Sequence, residues 1–427
     1  MGAPSPKKRK GRSKRGRGGR TRPHVAGRDP FEPDVPSPQE VGSKLLMAHD
    51  PLEVELMGSM MIAAFPTEPE DVDQELIETF VQLLSRPRSR ETLAVLRAVA
   101  AVADPRMEAE ARRQAEEIAA DFPEPPWGGS LEKAELAEAW RATHPFGDQD
   151  EIMLSIRYPG RADRLLCILV DRTLGNVIKD TFVAPEVEPV LERSRKEPDF
   201  TVDSIPVPEA AGIILSALND TDARLDPPVS EDFVLIRAFA AALVRRVPNP
   251  MVPRERRPMP DAEIEKVARE FLESDEATDL PADAEMAAHT LVGYQASWMA
   301  DDPLRWSPMV VEMCLLHWMP RKVILKGDEM DAFPPTLRAL VRYAGRRRGL
   351  PDHLVAETLE AVDRFTPDFV EAMKNPGSES YANNLWRAME REGVDVGDHE
   401  KVSAWIERFN ERPIEERDQI LGGESPD

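Results

Sequence analysis

A chain of 427 residues, 41% hydrophobic and 31% charged, has room for two or three domains, each with its own core. The longest uncharged stretch, residues 286–300, is too short and too polar for a bilayer span of roughly 20 apolar residues, and two cysteines build neither a disulfide framework nor a Cys-rich metal site. The net charge of −23 hides a partition: the first 28 residues carry eleven Lys or Arg and no acid, leaving 44 basic against 78 acidic residues, a net of −34, in the remainder.

Residues 1–49 read as a disordered basic and then Pro-rich tail, because the Lys/Arg/Gly run has no apolar side chains to bury. Lys7, Lys8, Arg9, Lys10, Arg12, Lys14, Arg15, Arg17, Arg20 and Arg22 form a dense flexible cation, spaced by glycine and serine. Such a segment gains affinity for DNA or RNA by releasing condensed counterions, and without aromatic residues for stacking it reads no sequence. The bland alternatives are a solubilising leader, or an over-long gene product whose true start is Met47. The tail runs into acidic, Pro-rich sequence rather than an apolar segment, so a secretory signal is not expected and the cytoplasm is. Arg outnumbers Lys by 35 to 9 beyond the tail, which fits a GC-rich bacterial genome; in a eukaryote, Pro6 to Lys10 would read as a nuclear import run.

Asp-Pro at 50–51, 104–105 and 302–303, and Thr366-Pro367, have the chemistry of helix starts. Helices are predicted near 51–65, 70–85, 90–103, 105–120, 130–142 and 209–219, with apolar stripes such as Phe233, Ile236, Ala240, Leu243 and Val247 and, later, Val402, Trp405, Ile406 and Phe409. Residues 151–183 break this rule. Ile152, Leu154, Ile156 and Tyr158 alternate, Pro159-Gly160 turns, 165–170 is wholly apolar, and Leu174-Gly175-Asn176 turns again into Val177. This pattern is a three-stranded antiparallel meander whose middle strand needs cover on both faces, from helices or from a further strand near 199–205. Five prolines between Val247 and Pro260 stop any helix there. The expected fold is α+β and predominantly helical: an α+β domain over 50–247, a Pro-rich linker over 248–260 or the same segment lying flat on one body, an all-helical region over 261–420, and a disordered end at 421–427.

Two blocks, Leu165 to Asn176 with Lys179-Asp180, and Asp302 to Pro308 running on to Trp318–Lys322, resemble uncharacterised hypothetical proteins of GC-rich actinobacteria. The resemblance implies a bacterial origin and carries no activity.

Several constellations could bear chemistry. Asp171 and Asp180 place carboxylates in an apolar meander, where Arg172 and Lys179 can pair with them; buried pairing that fixes the turn competes with a catalytic carboxylate. Arg342 with Arg346, Arg347 and Arg348 either holds a phosphate or complements a helix C-terminus. Tyr294, Trp298, Trp306 and Trp318, among Met286, Met299, Met309, Met313 and Met319, read as core or as an adaptable groove. Glu285, His289, Cys314 and His317 match no established zinc spacing, and His317 continues an apolar stripe. Nucleophile elbows, P-loops, dinucleotide fingerprints and zinc-protease motifs are absent from the sequence. The expectation is therefore a non-enzymatic interaction protein, tethered to nucleic acid by its tail and meeting a protein partner on its body, without metal or cofactor. The alternative is an enzyme of unrecognised family using Asp171 and Asp180.

Overall fold

The computed structural model describes residues 37–64, 74–253, 257–299, 302–325, 329–374, 381–394 and 399–421. From Pro38 onward the chain forms one compact unit. Order begins earlier than the tail reading expects. Helix α1 (Pro38–Met47) buries Val41 and Leu45, and the Trp127 indole donates to the Leu45 carbonyl at 2.7 Å. A ten-residue helix is marginal alone, so its face against α4 is what holds it.

Helices α2 (Pro51–Ala63), α3 (Gln74–Leu84), α4 (Arg90–Val102) and α5 (Pro105–Ala119) follow. Asp50 and Asp104 cap α2 and α5, accepting from the Leu52 and Arg106 amides, as the Asp-Pro pairs require. At the other two sites the expectation fails. Asp302 closes a local turn by accepting from the Leu304 amide, and the helix there starts later, capped by Ser307. Thr366-Pro367 lies inside a continuous helix, Asp352–Lys374, with the Thr366 hydroxyl donating back to Val362 at 2.7 Å.

The sheet has five strands rather than three, in the order β4-β3-β2-β1-β5, all neighbours antiparallel. Strands β2 (Gln149–Arg157), β3 (Arg164–Asp171) and β4 (Val177–Ala184) are the meander. Strand β1 (Glu135–Thr143) replaces the helix expected over 130–142, and β5 (Thr201–Ile205) completes the sheet. Glu-Leu-Ala-Glu-Ala has helical propensity, but β1 pairs along both edges, and tertiary pairing outweighs a preference of a few tenths of a kcal/mol per residue. Leu166, Ile168 and Val170 of β3 enter the main core, while Leu165 and Cys167 enter a small second one with Trp140, Val190 and Leu191. The strand is apolar throughout because both faces are covered. The second cover is α6 (Glu188–Ser194); the first includes α7 (Val207–Asp222) and α8 (Glu231–Arg245).

The Pro-rich segment after α8 is no free linker. The Met251 amide donates to Pro208 at 2.8 Å, and a Cβ on Gly212 of α7 would lie 2.0 Å from the Met251 carbonyl oxygen. A separate core, from Ala268 to Phe369, then holds α9 (Asp261–Leu272), α10 (Ala284–Gly293), α11 (Pro308–Glu312), α12 (Met319–Lys322), α13 (Glu329–Arg348) and α14 (Asp352–Lys374). A small cluster around Trp405 and Phe409 joins α15 (Tyr381–Arg391) and α16 (His399–Asn410), ahead of α17 (Ile414–Leu421). Among the described residues, no helix is long and apolar enough to cross a membrane.

A candidate anion-binding cleft

Four arginines distant in sequence line one open cleft of about 630 Å³. Arg141 projects from β1, Arg172 follows β3, Arg305 lies in the loop before α11, and Arg348 ends α13. The cleft thus takes walls from both halves of the compact unit. Asp150, Glu209, Asp302 and the apolar residues Ile213, Met251, Val252 and Pro253 complete it.

Asp150 sits beneath the first pair with only 2% of its surface exposed. Its Oδ2 accepts from Arg141 Nη2 at 2.8 Å and from Arg172 Nε at 2.7 Å, and Arg172 Nη2 also donates to it. One carboxylate therefore answers two guanidiniums. The Nε of Arg141 is buried and makes no hydrogen bond among the described residues. A third of the Arg141 side chain stays exposed to solvent, and a guanidinium stays protonated and presents a fixed fork to oxyanions.

The second pair grips the β1–β2 turn. Arg305 Nη1 donates to the Gly147 carbonyl at 3.1 Å and to Asp148 at 3.2 Å; Arg348 Nη2 donates to the Pro145 carbonyl at 2.9 Å. Gly147 adopts φ +74°, a left-handed conformation that exposes these carbonyls at no steric cost to a residue lacking Cβ. Burial pushes the Asp148 carboxyl above the ordinary range, against the opposing effects of a Ser307 hydrogen bond and the Arg305 charge.

The meander carboxylates are engaged in turns and caps. Asp171 Oδ1 accepts from the Thr173 amide at 2.9 Å, the Thr173 hydroxyl at 2.6 Å and the Leu174 amide at 3.2 Å, and Lys179 stands 3.8 Å from Oδ2. Asp180 accepts at 2.5 Å from Ser230, the residue that caps α8. Arg172 pairs with neither; it reaches across to Asp150.

The run at the end of α13 divides. Arg346 forms a two-pronged pair with Glu276 at 2.6 and 3.0 Å, holding that carboxyl down at about 2, and only Arg348 lines the cleft. Tyr294 and Trp306 are core, while Met309 is half exposed; helix starts at Pro308, so Trp306 precedes it and the buried face is Val310, Val311, Cys314 and Leu315. The side chain of Trp298 lies outside the described part. A π-turn over Met313–Trp318 widens the helical repeat, which leaves Cys314 buried and His317 exposed instead of in the apolar stripe. Glu285 is exposed as well, and no group of three metal-ligating side chains occurs among the described residues. Lys7, Lys8, Arg9, Lys10, Arg12, Lys14, Arg15, Arg17, Arg20 and Arg22 lie outside the described residues.

Sequence reasoning missed the cleft because its arginines come from four separate segments. One signal was present: Arg305 stands between Leu304 and Trp306 in an apolar block, and a buried arginine must have a dedicated partner. Comparisons of the chain with protein-family models, curated proteins and solved structures gave no match.

Proposed function

We propose that the body of this protein binds an oxyanion in the arginine cleft, and that it works by binding rather than by catalysis. One observation carries the reading: four guanidiniums line a single open cleft in a body whose net charge is −34. Asp150, Glu209 and Asp302 share that lining, so the four guanidiniums leave the cleft a net formal charge of +1, still opposite in sign to the body, and that local field selects small anions that can enter it. The meander carboxylates do not reach this cleft: Asp180 accepts from the Ser230 that caps α8, and Asp171, besides holding its turn, lines a separate pocket of about 320 Å³ with Lys179. Titration calorimetry of the full chain with pyrophosphate, and of Arg141→Gln, tests it. Arg141→Gln is expected to weaken binding about tenfold, near 1.4 kcal/mol. Equal affinity in both proteins would put the bound anion elsewhere, including on the tail.

The charge partition favours a second role for the chain, a sequence-blind tether to DNA or RNA through the basic residues between Lys7 and Arg22. The acidic body then stands away from the polyanion and is left free for a protein partner.

A further inference from the structure

Resting on the anion-binding reading, we infer that the ligand of the cleft is a phosphate monoester with an apolar body. Guanidiniums stand on separate walls, at β1, after β3 and at the end of α13, while Arg305, 3% exposed, is held behind them by the β1–β2 turn. A tetrahedral phosphate with three terminal oxygens can accept donors from several directions, whereas a planar carboxylate offers two oxygens in one plane.

The rest of the lining has the opposite character. Met251 and Val252 are 58% and 55% exposed, and with Ile213 and Pro253 they form an apolar wall of the same cleft. Their placement is fixed. The Met251 backbone is bonded to Pro208 and lies directly on Gly212, leaving no room for even a methyl group between them. What sets Met251 and Val252 apart from other exposed apolar residues of the chain is that they share one cleft with guanidiniums, where an organic body can cover them and inorganic phosphate cannot. The volume, about 630 Å³, lies within the range of organic-ligand pockets. An organic phosphate places its charged head on the arginines and its body on Met251 and Val252.

Titration of the full chain with inorganic phosphate, 1-naphthyl phosphate and 1-naphthoate tests this. In the parent protein, 1-naphthyl phosphate should bind at least tenfold more tightly than either other probe. In the double substitution Met251→Ser/Val252→Ser, the two phosphates should bind with similar affinity. If inorganic phosphate binds as well as the naphthyl ester, or the naphthyl gain survives the double substitution, the apolar-body inference falls while the anion site stands. Equal binding of naphthoate overturns the phosphate assignment. Absence of binding by all three probes removes both the inference and the reading beneath it.

Discussion

Asp150 neutralises the Arg141–Arg172 pair of the cleft. It is buried, is the second residue of β2, and answers Arg141 and Arg172 through one oxygen. Asp150→Asn keeps the volume and removes the charge, so two consequences of opposite sign are expected. Anion affinity should rise, because the guanidiniums lose their resident counter-charge. Stability should fall by about 1–3 kcal/mol, less than for a fully buried pair because a third of Arg141 is exposed to solvent. Parallel calorimetric titration and urea unfolding check both. If affinity drops with stability, Asp150 orients the arginines more than it neutralises them. Little of this was legible from the sequence. Asp171 and Asp180 drew notice because they interrupt apolar alternation, and that signal marks a turn and a helix cap as readily as a site. Asp150 sits in Gly147-Asp148-Gln149-Asp150, where a polar turn hides an acid that points inward.

At the scale of elements, the meander was readable because period-two alternation and Gly-containing turns are local signals. β1 was not, because its strand character comes from hydrogen bonds to β2 and β5 that no window of its own residues contains. The α7 helix gives a sharp test of close packing. Gly212→Ala should gain slightly in helix propensity yet lose about 1–3 kcal/mol overall, because the new Cβ meets the Met251 carbonyl and the neighbouring segment must move. Urea unfolding measures the loss, and unchanged stability would mean that the 250–253 segment yields freely.

Between α2 and the sheet, Glu55 is fully buried and accepts from the Tyr158 hydroxyl at 2.9 Å and the Glu132 amide at 2.6 Å. Burial raises its carboxyl above the ordinary value despite these donors and Arg246. A raised folded value stabilises the protein most below the unfolded value, about 4.3, and the contribution is lost as pH rises through the folded one. The stability of the parent relative to Glu55→Gln should therefore decline from pH 4 upward and then level off, followed by thermal unfolding at each pH. A flat difference would show that the donors and Arg246 fully offset burial.

Across the whole molecule, composition revealed the charge partition and the predominance of helix, whereas the assembly of the cleft depends on contacts spanning half the chain. The tether reading makes a prediction at this scale. Removing residues 1–28 should abolish binding to short DNA or RNA duplexes and single strands in fluorescence anisotropy. The intact chain should lose roughly 10³–10⁵ in affinity between 50 and 200 mM salt if six to ten phosphates are engaged. Equal binding after removal would deny the tail that role.

The grip of Arg305 and Arg348 on the β1–β2 turn also has a consequence during synthesis. The turn emerges 158 residues before Arg305 and 203 before Arg348. At roughly 5–20 residues per second, the ribosome needs on the order of 10–40 s to supply the second of these partners. In that interval the five-stranded sheet can form while the Pro145 and Gly147 carbonyls wait in water for partners not yet translated. The sheet can therefore stand well before the cleft closes over its turn, because the walls carrying Arg305 and Arg348 are made only in the second half of the chain.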